Sequence, residues 1–157
     1  YSYFNTGRPA TDDENRLYNS SYNDLSIYPR YEFGYGLSYT TFAYNNLQLS
    51  SKKIKKGESV TASVTITNTG KYDGEEIVQL YLRDKVGSIV RPVKELKDFR
   101  KVSLKPGESK TLSFTIGKEK LSFFNQNLEW VAEPGEFVLM IGASSADIRL
   151  EDQFELL

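Results

Sequence analysis

From Thr40 to the end of the chain, apolar and polar positions alternate with a period of two, broken at short intervals by glycine and proline. Val60, Ala62, Val64 and Ile66 alternate with Thr61, Ser63, Thr65 and Thr67, the pattern of a half-buried strand rich in β-branched residues. Leu112, Phe114 and Ile116 repeat it against Thr111, Ser113 and Thr115, and Ile148, Leu150, Phe154 and Leu156 form a last alternating strand. Residues 77–82 and 137–141 are near-continuous apolar runs, which predicts central strands covered on both faces. Lys56-Gly57-Glu58, Pro106-Gly107-Glu108 and Pro134-Gly135-Glu136 each stand just before a strand. Their glycines suit the second central position of a type II turn, where φ is positive. The spacing of the three is unequal, so turn chemistry is reused without a sequence repeat. Asn68-Thr69-Gly70 and Asp73-Gly74 bracket a further loop, and no segment carries a sustained apolar stripe of helical period.

Seven or eight short strands joined by regular turns predict an all-β fold over residues 40–157. The expected form is an immunoglobulin-like or fibronectin type III-like antiparallel β-sandwich. Residues 1–39 do not fit that scheme and are expected to form an irregular N-terminal extension. Twelve of the 21 aromatic residues fall within the first 44 positions. Tyr31-Glu32-Phe33-Gly34-Tyr35-Gly36-Leu37-Ser38-Tyr39-Thr40-Thr41-Phe42 concentrates them at the junction with the sandwich. A buried aromatic side chain removes roughly 150–250 Å² from water. At about 25 cal/mol per Å², four bare rings forfeit on the order of 15 kcal/mol as an upper bound, comparable with a whole domain's stability. The first 39 residues are therefore expected to lie on another domain. Tyr28, Tyr31, Phe33, Tyr35, Leu37 and Tyr39 are the candidate interface residues, with Gly34 and Gly36 permitting close backbone approach.

Composition narrows the chemistry. A net charge of −1 gives no electrostatic case for nucleic acid, and no apolar run is long enough to insert in a membrane. No signal segment opens the chain at Tyr1, so the compartment has to be inferred indirectly. The sequence has no cysteine and no histidine. That removes disulfides, thiolate nucleophiles, Ser-His-Asp systems and His-ligated zinc, and no metal or cofactor is expected. Only carboxylates, Tyr or Lys remain for catalysis.

Catalysis by carboxylates needs a close pair of them beside a substrate site, and Asp84, Glu95 and Asp98 are the acids near strand ends. The expectation is instead that they are solvated charges pairing with Arg83, Arg91 or Lys94. Arg91 is a candidate brace toward a neighbouring domain through a bidentate carboxylate contact, while Leu96 and Phe99 are expected to anchor a strand in the core. Lys52, Lys53, Lys55 and Lys56 form a basic run in a turn, expected to serve solubility. Asp12-Asp13-Glu14 lacks the spaced ligands of a calcium loop, and Asn19-Ser20-Ser21 has the form of a glycosylation sequon. Trp130 is expected in the core or capping an edge.

Several ordered motifs carry a family resemblance. Asn5-Thr6-Gly7-Arg8-Pro9, the run 31–42, Val78-Gln79-Leu80-Tyr81, Arg91-Pro92-Val93-Lys94-Glu95-Leu96-Lys97-Asp98-Phe99, Leu104-Lys105-Pro106-Gly107-Glu108 and Ile141-Gly142-Ala143-Ser144-Ser145 together resemble the C-terminal part of glycoside hydrolase family 3. Glu32 departs from the proline common at that place, which implies a less rigid turn. The resemblance implies a tail of a preceding α/β domain and an aromatic linker in residues 1–39, then a fibronectin type III-like domain. It also implies a parent that hydrolyses terminal β-linked sugars with retention, its catalytic Asp and Glu lying outside this chain. The implied partners are the catalytic domains of the same polypeptide, with carbohydrate as an alternative. The implied location of the parent is secreted or periplasmic.

Overall fold

The computed structural model describes residues 29–157; Tyr28, Asp12-Asp13-Glu14 and Asn19-Ser20-Ser21 lie outside that range. Two sheets face each other. One contains β1 (Phe42–Leu49), β3 (Val60–Asn68) and β6 (Ser109–Ile116), in the order β1-β3-β6. The other runs β2-β10-β9-β4-β5, formed by β2 (Lys53–Ile54), β10 (Ile148–Leu156), β9 (Gly135–Gly142), β4 (Gly74–Asp84) and β5 (Glu95–Leu104). Among the described residues, seven strands have eight residues or more, in line with the sequence expectation. Outside the two sheets lie α1 (Lys118–Leu121) and a small hairpin of β7 (Phe123–Phe124) and β8 (Trp130–Val131). One pairing departs from an all-antiparallel scheme, because β2 runs parallel to the end of β10.

The alternating pattern does what it predicts in β3, whose Val60, Ala62, Val64 and Ile66 are fully buried. On its other face Thr65 meets Thr111 at 3.3 Å and Thr67 meets Ser109 at 2.7 Å, a hydroxyl ladder shared with β6. The apolar runs form β4 and β9, the central pair of the larger sheet. Val78, Leu80, Leu82, Leu139 and Ile141 from this pair close the core against β3 and β6. At one end the Phe137 and Phe154 rings stack at 5.6 Å.

Two of the three predicted turns are twins. Glu58 N–H donates to Lys55 O and Glu108 N–H to Lys105 O, both at 2.9 Å. Gly57 and Gly107 take φ of +93° and +76°. In each, the glutamate carboxylate returns to the first residue, accepting from Lys55 N–H at 2.7 Å and Lys105 N–H at 2.9 Å. The Pro134-Gly135 site differs: Gly135 has φ +158° and opens β9 directly, and Glu136 instead pairs with Lys85 at 2.8 Å.

Two further expectations are corrected. Leu96 and Phe99 lie on the outer face of β5 and are exposed, while Val102 and Leu104 supply that strand's core contacts. Trp130 is half-exposed beside the Phe124 ring at 4.9 Å, on the outward side of a hairpin whose Phe123 is the buried residue. In the basic run Lys52 pairs with Asp152 and Lys53 with Glu155, and both lysines stay exposed. No helix among the described residues is long and apolar enough to cross a membrane.

Candidate docking site

Residues 29–41 belong to no strand, yet their backbone is tied to the sandwich at Phe33, Gly34 and Thr41. Tyr35 N–H donates to Glu32 O at 3.1 Å, closing a turn whose third residue, Gly34, has φ +82°. That is the positive-φ position of a type II turn. A side chain there is excluded twice, since a Cβ on Gly34 would also stand 2.1 Å from Gln79 Oε1. Glu32 tightens the arrangement, because its carboxylate accepts the Ser144 hydroxyl at 2.9 Å. The fixed turn thus gains a side-chain tether where a proline would have given stiffness alone.

Gln79 is the clamp. Its Nε2 donates to Gly34 O at 3.0 Å and to Ala143 O at 2.5 Å, and its Oε1 accepts the Tyr81 hydroxyl. Burial pushes the Tyr81 hydroxyl up to about 12, so it remains a donor at neutral pH. Ser145 N–H donates to Phe33 O at 2.9 Å. Farther along, the Thr40 hydroxyl donates to Asn68 Oδ1 at 2.7 Å, and Thr69 N–H donates to Thr41 O at 2.8 Å. Asn68, fully buried, also donates to the carbonyls of Tyr72 and Leu104. Thr40 packs so closely that a Cβ on Gly70 or Gly74 would overlap it at 2.1 or 2.4 Å.

The side chains do the opposite of the backbone. Tyr31, Phe33 and Tyr35 are largely exposed, and Leu37 and Tyr39 are 89% and 97% exposed. Phe33, Tyr35 and Leu37, together with Ile77, Leu96 and Phe99, border an open groove of about 670 Å³ on the larger sheet. A continuous exposed apolar face of this kind marks an interaction site more often than a free surface. At the β1 end the groove turns polar. The Tyr44 hydroxyl donates to Glu76 Oε1 at 2.8 Å, and Arg149 lies over the Tyr44 ring at 5.6 Å while pairing with Asp147. Burial raises the Glu76 carboxyl above its ordinary value, outweighing the Tyr44 hydrogen bond and the Arg149 charge.

The structure therefore brings Phe33, Tyr35 and Leu37 to one groove, with the Tyr31 ring 5.4 Å from that of Tyr35, while Tyr39 is exposed outside the groove lining. Arg91 lies elsewhere, in the loop between β4 and β5. Its guanidinium contacts Asp84 at 3.3 Å and Glu95, and covers the Phe123 ring at 4.1 Å, with 9% of the side chain exposed. Its donor fork is thus committed within the module. The acidic candidates are similarly engaged: Asp84 and Glu95 share Arg91, and Asp98 pairs with Lys120 and Arg100. Lys94 donates to Ser145 O and so holds the loop that receives Phe33. Gln79 and Asn68 enter the sequence motifs without an assigned role, and Glu76 enters none of them. The available signal was a glutamine interrupting the apolar run 77–82.

The fold is that of a fibronectin type III-like domain, and the family model of that description matches residues 76–145. The relatives are more specific. The chain is 50% identical to a periplasmic β-glucosidase of Salmonella typhimurium over its full length, covering 20% of that protein. It is 49% identical to a β-xylosidase of Formosa agariphila over 117 residues, 74% of this chain and 16% of that one. Its structure superposes on the β-glucosidase of Listeria innocua in complex with glucose with a TM-score of 0.92 and 43% identity, covering 99% of this chain and 22% of the other. The chain carries a fibronectin type III-like domain homologous to part of the glycoside hydrolase family 3 β-glucosidases and β-xylosidases. It spans about a fifth of the length of the curated relatives it matches.

Proposed function

We propose that this chain is a non-catalytic module of a retaining family 3 β-glycosidase, and that it buttresses the catalytic domains of the same polypeptide. The observation that carries the proposal is the contrast along residues 31–41: a backbone hydrogen-bonded to the sandwich, with aromatic and leucine side chains turned away from it. Docking uses Tyr31, Phe33, Tyr35, Leu37 and Tyr39, joined by Ile77, Leu96 and Phe99, and does not need Arg91. The division falls near residues 39 and 40, just before β1. Hydrolysis of a terminal β-linked sugar then belongs to the rest of the polypeptide, whose secreted or periplasmic location is supported by the periplasmic relative.

The test is made in the whole polypeptide. Leu37→Ser with Tyr39→Ser removes apolar area worth about 3 kcal/mol or more when covered. The thermal midpoint and the glycosidase rate should both fall. An unchanged midpoint would overturn the docking reading.

A second reading, binding of polysaccharide, is favoured by the exposed Phe124–Trp130 pair, whose ring faces offer stacking surface. Retention on cellulose, xylan or arabinan that is lost in Trp130→Ala supports it; passage without retention removes it.

A further inference from the structure

The groove contains one charge that forms no ion pair among the described residues. Four of its lining residues are ionisable as full charges: Glu75, Glu76, Asp147 and Arg149. Glu75 is matched by Lys101 at 2.6 Å. Asp147 is matched by Arg149, which donates from Nε and from Nη2 to its two oxygens. These pairs cancel and leave Glu76. Its Oε1 accepts the Tyr44 hydroxyl, but no cation among the described residues forms an ion pair with it. No buried side-chain oxygen or nitrogen among the described residues lacks a partner, so Oε2 is satisfied only through the open groove.

Covering this groove with an apolar surface would strip the water from Oε2. A carboxylate buried with one unpaired oxygen is far more costly than the apolar contact around it can offset. The geometry points to a cationic side chain, a guanidinium or an ammonium, on the neighbouring domain of the same polypeptide, seated against Oε2 of Glu76 when that domain covers the groove. The inference rests on the docking proposal and adds the chemistry of the partner. The walls suit such a side chain. The apolar surfaces of Tyr35, Leu37 and Ile77 can take the methylene stem of an Arg or Lys while its head meets the carboxylate. A neutral donor would satisfy the oxygen but leave the net negative charge in the covered groove. Burial already raises the Glu76 carboxyl in the open groove, the direction expected where a compensating cation is yet to arrive.

The experiment is hydrogen–deuterium exchange of the segment 33–39 in the whole polypeptide, comparing wild type with Glu76→Gln, Glu76→Lys and Leu37→Ser. Glu76→Gln keeps the acceptor for Tyr44, so the sandwich should stay intact; unchanged exchange in β3 and β6 checks that. A charged hydrogen bond lost at a covered site should open the docked state about ten-fold or more often, and exchange of the segment should accelerate by that factor. Glu76→Lys should accelerate it further, and added salt should speed exchange in wild type more than in Glu76→Gln. If Leu37→Ser accelerates exchange while both Glu76 variants match wild type, docking stands and the cation is refuted. If Leu37→Ser leaves exchange unchanged, the docking proposal itself falls, and this inference with it.

Discussion

Gln79→Leu is the sharpest probe of how the aromatic segment is held. Gln79 is 2% exposed in the middle of β4, and leucine has nearly its shape. The substitution deletes two donations, to Gly34 O and Ala143 O, and one acceptance, from the Tyr81 hydroxyl. Each such bond contributes about 1 kcal/mol net, and a group left buried without a partner costs about 1–3 kcal/mol. Tyr81 is 1% exposed, so its hydroxyl bears the full penalty, whereas the two carbonyls keep part of their hydration. The expected loss is about 3 kcal/mol, read from urea denaturation of the chain, or a thermal midpoint lower by about 6–12 °C. Tyr81→Phe removes the same hydroxyl bond from the other side. The double variant should therefore cost about 1 kcal/mol less than the sum of the singles. A loss below about 1 kcal/mol, or strict additivity of the pair, would refute the clamp.

Two further perturbations have defined outcomes. Asn68→Ala removes a fully buried hub that accepts from Thr40 Oγ1 and Gly70 N–H and donates to the carbonyls of Tyr72 and Leu104. It should cost about 3 kcal/mol or more in urea denaturation, and a cost near zero would show that the hub is dispensable. Burial pushes the Asp98 carboxyl up, but the Lys120 hydrogen bond and charge, the Phe99 amide and Arg100 outweigh it and hold the carboxyl below its ordinary 3.8. A depressed acid stabilises the fold above its unfolded value and loses that contribution as pH falls through the lower folded value. Lys120→Met should thus cost about 1 kcal/mol at neutral pH, with the gap to wild type closing in acid. A gap that persists or widens below the ordinary carboxylate range contradicts the pairing.

The sandwich was legible wherever a position had a single destination. In β3 every second residue meets the core and the others meet water, so the period of two translates directly into burial. In β5 the translation fails for a local reason. Leu80 pairs with Asp98 but Tyr81 pairs with Leu96, so Lys97 is an extra residue in the ladder. That bulge puts Leu96 and Phe99 on the same outer face although they are three apart, a relation no period-two pattern encodes. Trp130 was misplaced because a lone large apolar residue says nothing about how far its hairpin stands from the core. The clamp was hidden for a different reason. Gln79 looks like a flaw in an apolar run until Gly34, 45 positions away, is brought against it.

The misplaced residues and several candidate interface residues meet on one surface. Leu96 and Phe99, expected in the core, and Phe33, Tyr35 and Leu37, expected at an interface, border the same groove. Apolar patterning encodes removal from water and does not say whether the covering comes from the same module or from another. The backbone makes that distinction. A segment free to collapse would fold its tyrosines onto Ile77 and Phe99 and gain their burial. This one is held from Glu32 to Thr41 by bonds to Ser144, Ser145, Gln79, Asn68 and Thr69. Fixing those residues costs roughly 1–2 kcal/mol each in conformational entropy, which the hydrogen bonds offset only in part. The order is therefore of use only if something else benefits from side chains presented in a fixed array. That is the physical argument for a preformed docking face over a collapsed tail.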